Sequence, residues 1–309
     1  MPKRTFRVEL SDAGERLDVF LSRRIKELTR SQLQKKIGLN QAKVCGIPRK
    51  SGYRLMKGDP VEFDFEFPKK EILHPENIPL KIWHEDDHVI VLEKPTGLVV
   101  HPGAGRRDGT LVNALLYHFP GIEKIGLRNR PGIVHRLDKE TSGLMVVARS
   151  KNAYSELQRQ FKQREVEKNY LGLVWGEISK HKGTISWAIG RHVKRGERMS
   201  VKTKKPRAAE TQFEVLRRYP GLTYLEIKPV TGRTHQIRVH LAASGHPIVG
   251  DSRYGTKKGK RRCPRLFLHS FRLGFIHPET HESLTFQSPL PEDLEKFLNN
   301  LGTSPIILS

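Results

Sequence analysis

Apolar positions along the chain follow two rhythms, one at helical spacing and one alternating. Leu17, Phe20, Leu21, Ile25 and Leu28 recur three and four residues apart, as on one face of a helix. Thr29 to Gln32 (TRSQ) matches a capping box, where a hydroxyl and a side-chain amide satisfy backbone groups at a helix start. The helix it opens carries Leu33 and Ile37 and can stop at Gly38. After a turn-rich stretch, KGDPVEFDFEF alternates Val61, Phe63, Phe65 and Phe67, the period of a strand with one buried face. These elements predict a small α/β domain over residues 1–70. A Pro- and charge-rich connector, PKKEILHPENIP, follows; residues 71–80 read as linker, and 81–309 as a second, larger domain.

In the second domain DHVIVLEK, GLMVVA, NYLGLVWG and LTYLEIKPV are rich in Val, Ile and Tyr and read as strands. Asn152 to Glu165 carries Ala153, Leu157 and Phe161 at four-residue steps and reads as a helix. Pro291 starts a last helix with Leu294, Phe297 and Leu298 on one side. Strands and helices mix without strict βαβ order, which predicts an α+β fold: a mixed, largely antiparallel sheet flanked by helices and loops.

Charge adds a partner to this picture. Fifty-six Lys and Arg stand against 33 Asp and Glu, a formal net charge of +23. Such a surface attracts polyanions and releases their counterions, so nucleic acid is the expected partner rather than a merely solvated basic face. Residues 15–55 hold eleven basic and three acidic residues, with Arg30, Lys35 and Lys36 close together around the second helix, as in a compact RNA-binding module. Two basic stretches, 191–207 with eight Lys or Arg and 253–265 with seven, would follow phosphates. Cys45 and Cys263 are isolated, with no metal-ligand spacing, which fits a reduced compartment. No apolar run approaches the ~20 residues of a membrane span. The basic N-terminus lacks the apolar segment of a secretory signal and carries early acids. A cytoplasmic monomer is expected.

The densest chemistry lies in GIVHRLDKETSGLMVVA, residues 132–148, where His135, Arg136, Asp138, Lys139, Glu140 and Thr141 sit between two apolar stretches. By its residues alone this is equally a functional loop on a rigid scaffold or a surface turn with ordinary ion pairs. HRLDKETSG resembles the signature of the RluA family of pseudouridine synthases. LEKPTGLVVHPG, EKNYLGLVWG and GRTHQIRVHLAASGHPIVGDSRYG resemble three further family motifs in the expected order. The stretch 15–65, beginning ERLDVFL, is similar to the S-four type of RNA-binding domain.

The resemblance implies the pseudouridine synthase fold and an isomerase that converts uridine to pseudouridine without metal or cofactor. It implies Asp138 as the catalytic residue, Tyr170 as an active-site ring and phenol, and Arg238 as the partner of the aspartate. A guanidinium can grip a carboxylate bidentately, which Lys cannot. Arg136 would fill the space of an extruded base, with simple phosphate contact as its other reading. His135, Thr141, Ile237 and Arg233, in the same motifs, join the substrate-binding set, although His135 reads better as a backbone contact than as an acid–base group. Arg30, Lys35 and Lys36 would dock RNA. The implied substrate is structured RNA, with large-subunit ribosomal RNA first and transfer RNA second.

Competing patterns are weaker. GAGRRDG, residues 103–109, is one residue off a dinucleotide fingerprint, and no helix-opening pattern is expected directly after it. Fourteen histidines include no HExxH and no Cys/His cluster. A non-catalytic RNA-binding protein would share the charge without needing Asp138, Tyr170 and Arg238 together. A methyltransferase would need a donor pocket that no Gly-rich loop supplies.

Overall fold

In the computed structural model, which describes residues 3–25, 27–64, 73–103, 108–193, 198–255 and 263–301, the chain divides into two units, within 1–72 and within 73–309. The first contains β1 (Lys3–Arg7), α1 (Leu17–Arg24), α2 (Arg30–Gly38), β2 (Ala42–Val44), β3 (Ile47–Pro48) and β4 (Pro60–Asp64). Its antiparallel sheet has the order β1-β4-β2-β3. Leu17, Phe20 and Leu21 of α1 pack with Leu33 and Ile37 of α2 against Val44, Val61 and Phe63. α1 stops at Arg24, so Ile25 and Leu28 reach the same core from beyond its end. The Thr29–Gln32 capping box forms as expected from the sequence. Phe65 and Phe67 lie outside the described residues.

The second unit continues with β5 (Lys81–Glu85), β6 (Val89–Lys94), α3 (Leu111–His118), β7 (Gly126–Leu127), β8 (Arg130–Pro131), β9 (Ser142–Ala148), α4 (Lys151–Gln163) and β10 (Glu167–Trp175). Then come β11 (Lys182–Ile185), β12 (Gly190–Arg191), β13 (Met199–Ser200), β14 (Thr211–Tyr219), β15 (Leu222–Pro229), α5 (Gln236–Ala243), β16 (Leu268–Ile276), β17 (Ser283–Gln287) and α6 (Glu292–Asn300). Among the described residues nine strands form one sheet, ordered β11-β14-β15-β10-β16-β9-β6-β5, with β17 paired to β16. Among these described strands only the β16–β9 pairing is parallel, through His269 opposite Ser142 and Ser270 opposite Gly143. The fold is therefore α+β with a mixed, largely antiparallel sheet.

The sheet's central strands are apolar on both faces. Ile90, Leu92, Met145 and Val147 enter one core with Leu111 and Leu115 of α3 and Leu241 of α5. Their neighbours Val89, Val91, Leu144 and Val146 enter another with Ala153 and Leu157 of α4. Alternation along a strand sends successive side chains to opposite faces, so continuous apolar runs mark strands covered on both sides.

Two helices depart from the sequence reading. α3 opens directly after the GAGRRDG stretch: Thr110 caps it and the Asn113 side chain returns to the Thr110 backbone N–H. An Asn stands where a capping box usually has Glu or Gln, which hid the helix start. α5 was not expected, because Gln236, Arg238 and His240 alternate with apolar residues and, with all six of its first residues buried, no helical period separates a polar from an apolar side.

Candidate active site

Asp138 stands on an irregular segment just before β9, and both ends of that segment are fixed. Leu137 is buried in the core beneath it. Thr141 N–H donates to Asp138 O at 3.1 Å, and Gly97 N–H to Lys139 O at 2.8 Å. The fully buried Lys94 ammonium donates to the carbonyls of Pro95, Leu98 and Lys139 at 2.7, 3.0 and 3.2 Å. Burial pulls this ammonium down to about 7, against the attraction of the Asp138 carboxylate. The sequence reading assigned Lys94 no role; a lysine inside a strand ending a hydrophobic run was its available signal.

The Asp138 carboxylate faces a cavity of about 620 Å³. Tyr170 on β10 and Ile237 and Arg238 on α5 line it. His135, Arg136, Thr141 and Arg233 line it as well, so the eight residues singled out in this unit converge on one space. Arg30, Lys35 and Lys36 belong to the other unit, on α2. There Arg30 is committed to an ion pair with the buried Asp18 at 2.9 Å, Lys35 is exposed, and Lys36 Nζ lies 3.5 Å from Gln41 Oε1.

The contacts of Arg238 correct one expectation. Its bidentate grip is on Asp251, through Nε at 2.8 Å and Nη2 at 2.9 Å, and Nη2 also reaches Glu140 at 2.7 Å. Asp138 receives only Nη1, at 3.6 Å. Asp251 is fully buried and also accepts the backbone N–H groups of Arg253 and Tyr254. Burial pushes its carboxyl up, but Arg238 and these N–H groups outweigh that and hold it below the usual range. Burial likewise works against the charge of Arg238, and the surrounding carboxylates more than restore it. Asp251 went unnoticed because thirteen residues separate it from Arg238, and nothing in that separation signals a pair.

Tyr170 is 9% exposed, and β10 holds it opposite Ile227 on one side and Ser270 on the other. Burial pushes its phenol up to about 12; an interaction with Ser270 works the other way, and the charge of Asp138 adds to the rise. At neutral pH the phenol is therefore protonated. His135 is stacked on Phe161 at 4.5 Å, and its Nε2 accepts the Val146 N–H at 3.0 Å. Burial, helped by Lys168, pushes its imidazole down to about 3, so it stays neutral. Arg136 is exposed, and Arg233 Nε donates to Ala208 O at 3.1 Å. A further ring was missed: His235 Nε2 lies 3.8 Å from Asp138 Oδ1.

Among the described residues no group of three or more His, Cys, Asp or Glu could hold a metal ion. None of the described helices is long and apolar enough to cross a membrane.

The arrangement is a partly screened carboxylate beside a guanidinium, an imidazole and a protonated phenol, with cationic side chains around it. Residues 88–243 match the model of the RNA pseudouridylate synthase family. An uncharacterized RNA pseudouridine synthase of Aquifex aeolicus (strain VF5) is 43% identical over 297 residues, covering 93% of each chain. Ribosomal large subunit pseudouridine synthase D of Nitrosomonas europaea is 40% identical over 301 residues, 95% of this chain and 86% of that protein. The solved structure of human RNA pseudouridylate synthase domain containing 1 superimposes with a TM-score of 0.57 at 33% identity, over 74% of this chain and 96% of that one. The matched span includes Asp138, Tyr170 and Arg238, and the chain belongs to the RNA pseudouridylate synthase family.

Proposed function

We propose that this RNA pseudouridine synthase acts on large-subunit ribosomal RNA and that Asp138 is its catalytic group. The observation that carries the catalytic reading is the juxtaposition of the Asp138 carboxylate, Arg238 Nη1 at 3.6 Å and the Tyr170 ring in one cavity. The substrate reading rests on relatives named for the large ribosomal subunit, such as the protein of Nitrosomonas europaea. A cytoplasmic monomer, where ribosomes are assembled, accompanies it.

The reaction breaks the bond between ribose carbon 1′ and uracil N1, turns the freed base, and joins carbon 1′ to carbon 5. Carbon 5 then loses its proton and N1 gains one, so substrate and product are isomers. The Asp138 carboxylate attacks carbon 1′ to form an ester, or removes the 2′ proton to form a glycal; both routes use the same side chain. Arg238, held by Asp251, supplies positive charge beside it throughout. Tyr170 offers a flat face to the flipped uracil, and the enclosing walls keep the base from escaping before it is recaptured. The protonated phenol is poorly suited to accept the carbon 5 proton unless the bound substrate changes its surroundings. Arg136 at the rim takes the space of the extruded base. Residues 1–70 form an S-four-like module in which exposed cations of α2, Lys35 among them, follow phosphates.

The test is a map of pseudouridines across total RNA from cells with and without this protein, with Asp138→Asn as the control. The expected result is loss of pseudouridine from one loop of large-subunit RNA, restored by the wild-type chain and not by D138N. Losses confined to transfer RNA would overturn the substrate assignment. Full activity of D138N would overturn the catalytic one and leave a chain that only binds RNA.

A further inference from the structure

His235 occupies a backbone conformation that a histidine rarely adopts, with φ of 54°, at the position that caps α5. Left-handed backbone at a residue with a side chain is strained and persists where the surroundings enforce it. Here the conformation turns the imidazole into the cavity, edge-on to Tyr254 with ring centroids 5.6 Å apart. Nδ1 lies 2.8 Å from the Tyr254 hydroxyl, and Nε2 lies 3.8 Å from Asp138 Oδ1.

Met199 N–H donates to the Tyr254 oxygen at 3.1 Å, which leaves the phenol's own proton for His235 Nδ1. With Nδ1 accepting, the neutral ring carries its proton on Nε2, the nitrogen aimed at Asp138. Burial keeps the ring neutral, as do Arg238 and Arg253, against the pull of Asp138 and Asp251; burial also keeps the Tyr254 phenol protonated. The Asp138 carboxylate thus has a cation at Oδ2 and a directed N–H at Oδ1.

Given the reaction proposed above, on which this inference rests, we infer that His235 is a positioning residue for that reaction. Its Tyr254-anchored Nε2–H is aimed at Asp138 Oδ1 and closes on it when substrate is bound, where it supports the carboxylate. A separation of 3.8 Å in the free protein is longer than a hydrogen bond; catalytic contacts of this kind tighten when substrate closes the site. In either route Asp138 ends the cycle as a free carboxylate, and a preoriented donor lowers the cost of regenerating it. Arg238 cannot replace this donor, because its other nitrogens are engaged by Asp251 and Glu140.

The experiment compares full-length wild type, H235F, H235Q, Y254F and D138N in single-turnover pseudouridine formation on a transcribed large-subunit RNA fragment. RNA affinity and thermal melting are measured on the same samples. H235F is expected to slow the step at saturating RNA by about 10²-fold while RNA affinity changes by less than about twofold. H235Q, whose amide can donate to Oδ1 without titrating, is expected to recover to within about fivefold of wild type, with Y254F between them. Wild-type rates in H235F would overturn the inference, as would an H235Q as slow as H235F when both melt like wild type. Those outcomes leave the proposed function intact as long as D138N is inactive. A wild-type chain that makes pseudouridine in no large-subunit fragment defeats that function instead.

Discussion

A guanidinium has two donor edges, and in Arg238 the edge formed by Nε and Nη2 is filled by Asp251, leaving Nη1 for Asp138. Arg238 is 2% exposed and Asp251 1%, so removing one leaves the other charged without water to take its place. Asp251→Ala is expected to cost about 3 kcal/mol in denaturant unfolding, and to slow pseudouridine formation even though Asp251 lies behind Arg238. Arg238→Lys keeps the charge but gives up the fork, and is expected to lose activity with a smaller loss of stability. Asp18 in the first unit allows a cleaner test by pH. Burial pushes its carboxyl up, but hydrogen bonds from Arg16, Gln34 and Arg30 prevail and bring it to about 2. A carboxyl whose folded value lies below its unfolded value of about 3.9 stabilises the fold above that unfolded value. That contribution is lost as pH falls toward 2. Melting of the wild type should therefore drop across this window, and Asp18→Asn should be less stable at neutral pH and show a shallower acid dependence. Equal slopes for the two proteins would remove Asp18 from the acid response.

Elements place these residues through a few close approaches. β9 and β16 pair in parallel over two residues only, where Gly143 has φ of 122°. A Cβ at Gly143 would lie 2.3 Å from Ser270 O, so the strands must separate to admit it. Gly143→Ala is expected to lower the melting temperature by 10 °C or more, on the order of 3 kcal/mol, and to displace the Asp138 segment that leads into β9. A melting temperature within a degree or two of wild type would show that the pairing yields more easily than its geometry implies. This junction also marks where sequence reading stops. Strands β6 and β9 were legible because their apolar runs are covered on both faces, β10 and β15 because they are rich in Val, Leu, Ile and Tyr, and α4 because Ala153 and Leu157 keep a strict step. α5 was not, since its buried Gln236, Arg238 and His240 alternate with apolar residues and leave no helical period to read. The motif resemblance brought Asp138, Tyr170 and Arg238 to notice without their geometry. Lys94, His235 and Asp251 escaped because their roles depend on Lys139, Asp138 and Arg238, which lie 45, 97 and 13 residues away along the chain and are brought close only by the fold.

At the scale of the whole molecule, a formal charge of +23 predicts tight but salt-sensitive association with RNA, and the cavity rim says where part of that sensitivity arises. Lys162 and Arg164, both exposed, stand at the end of α4 and line the cavity with Arg130, Arg136, Lys168 and Arg233. Lys162 and Arg164 are far more open to solvent than the buried Arg238, so they are suited to meet phosphates rather than reacting atoms. Each phosphate neutralised on single-stranded or loop RNA contributes about 0.7 to the slope of log affinity against log salt. The double variant Lys162→Gln, Arg164→Gln should therefore weaken RNA binding at low salt and flatten that slope by roughly 1 to 1.5. The single-turnover rate at saturating RNA should stay near wild type, because the Asp138 surroundings are untouched. A double variant with an unchanged salt slope would move the phosphate track away from the end of α4. One that bound RNA normally but reacted slowly would mean that these cations act on the chemistry, and that the boundary between docking and catalysis extends out to the end of α4.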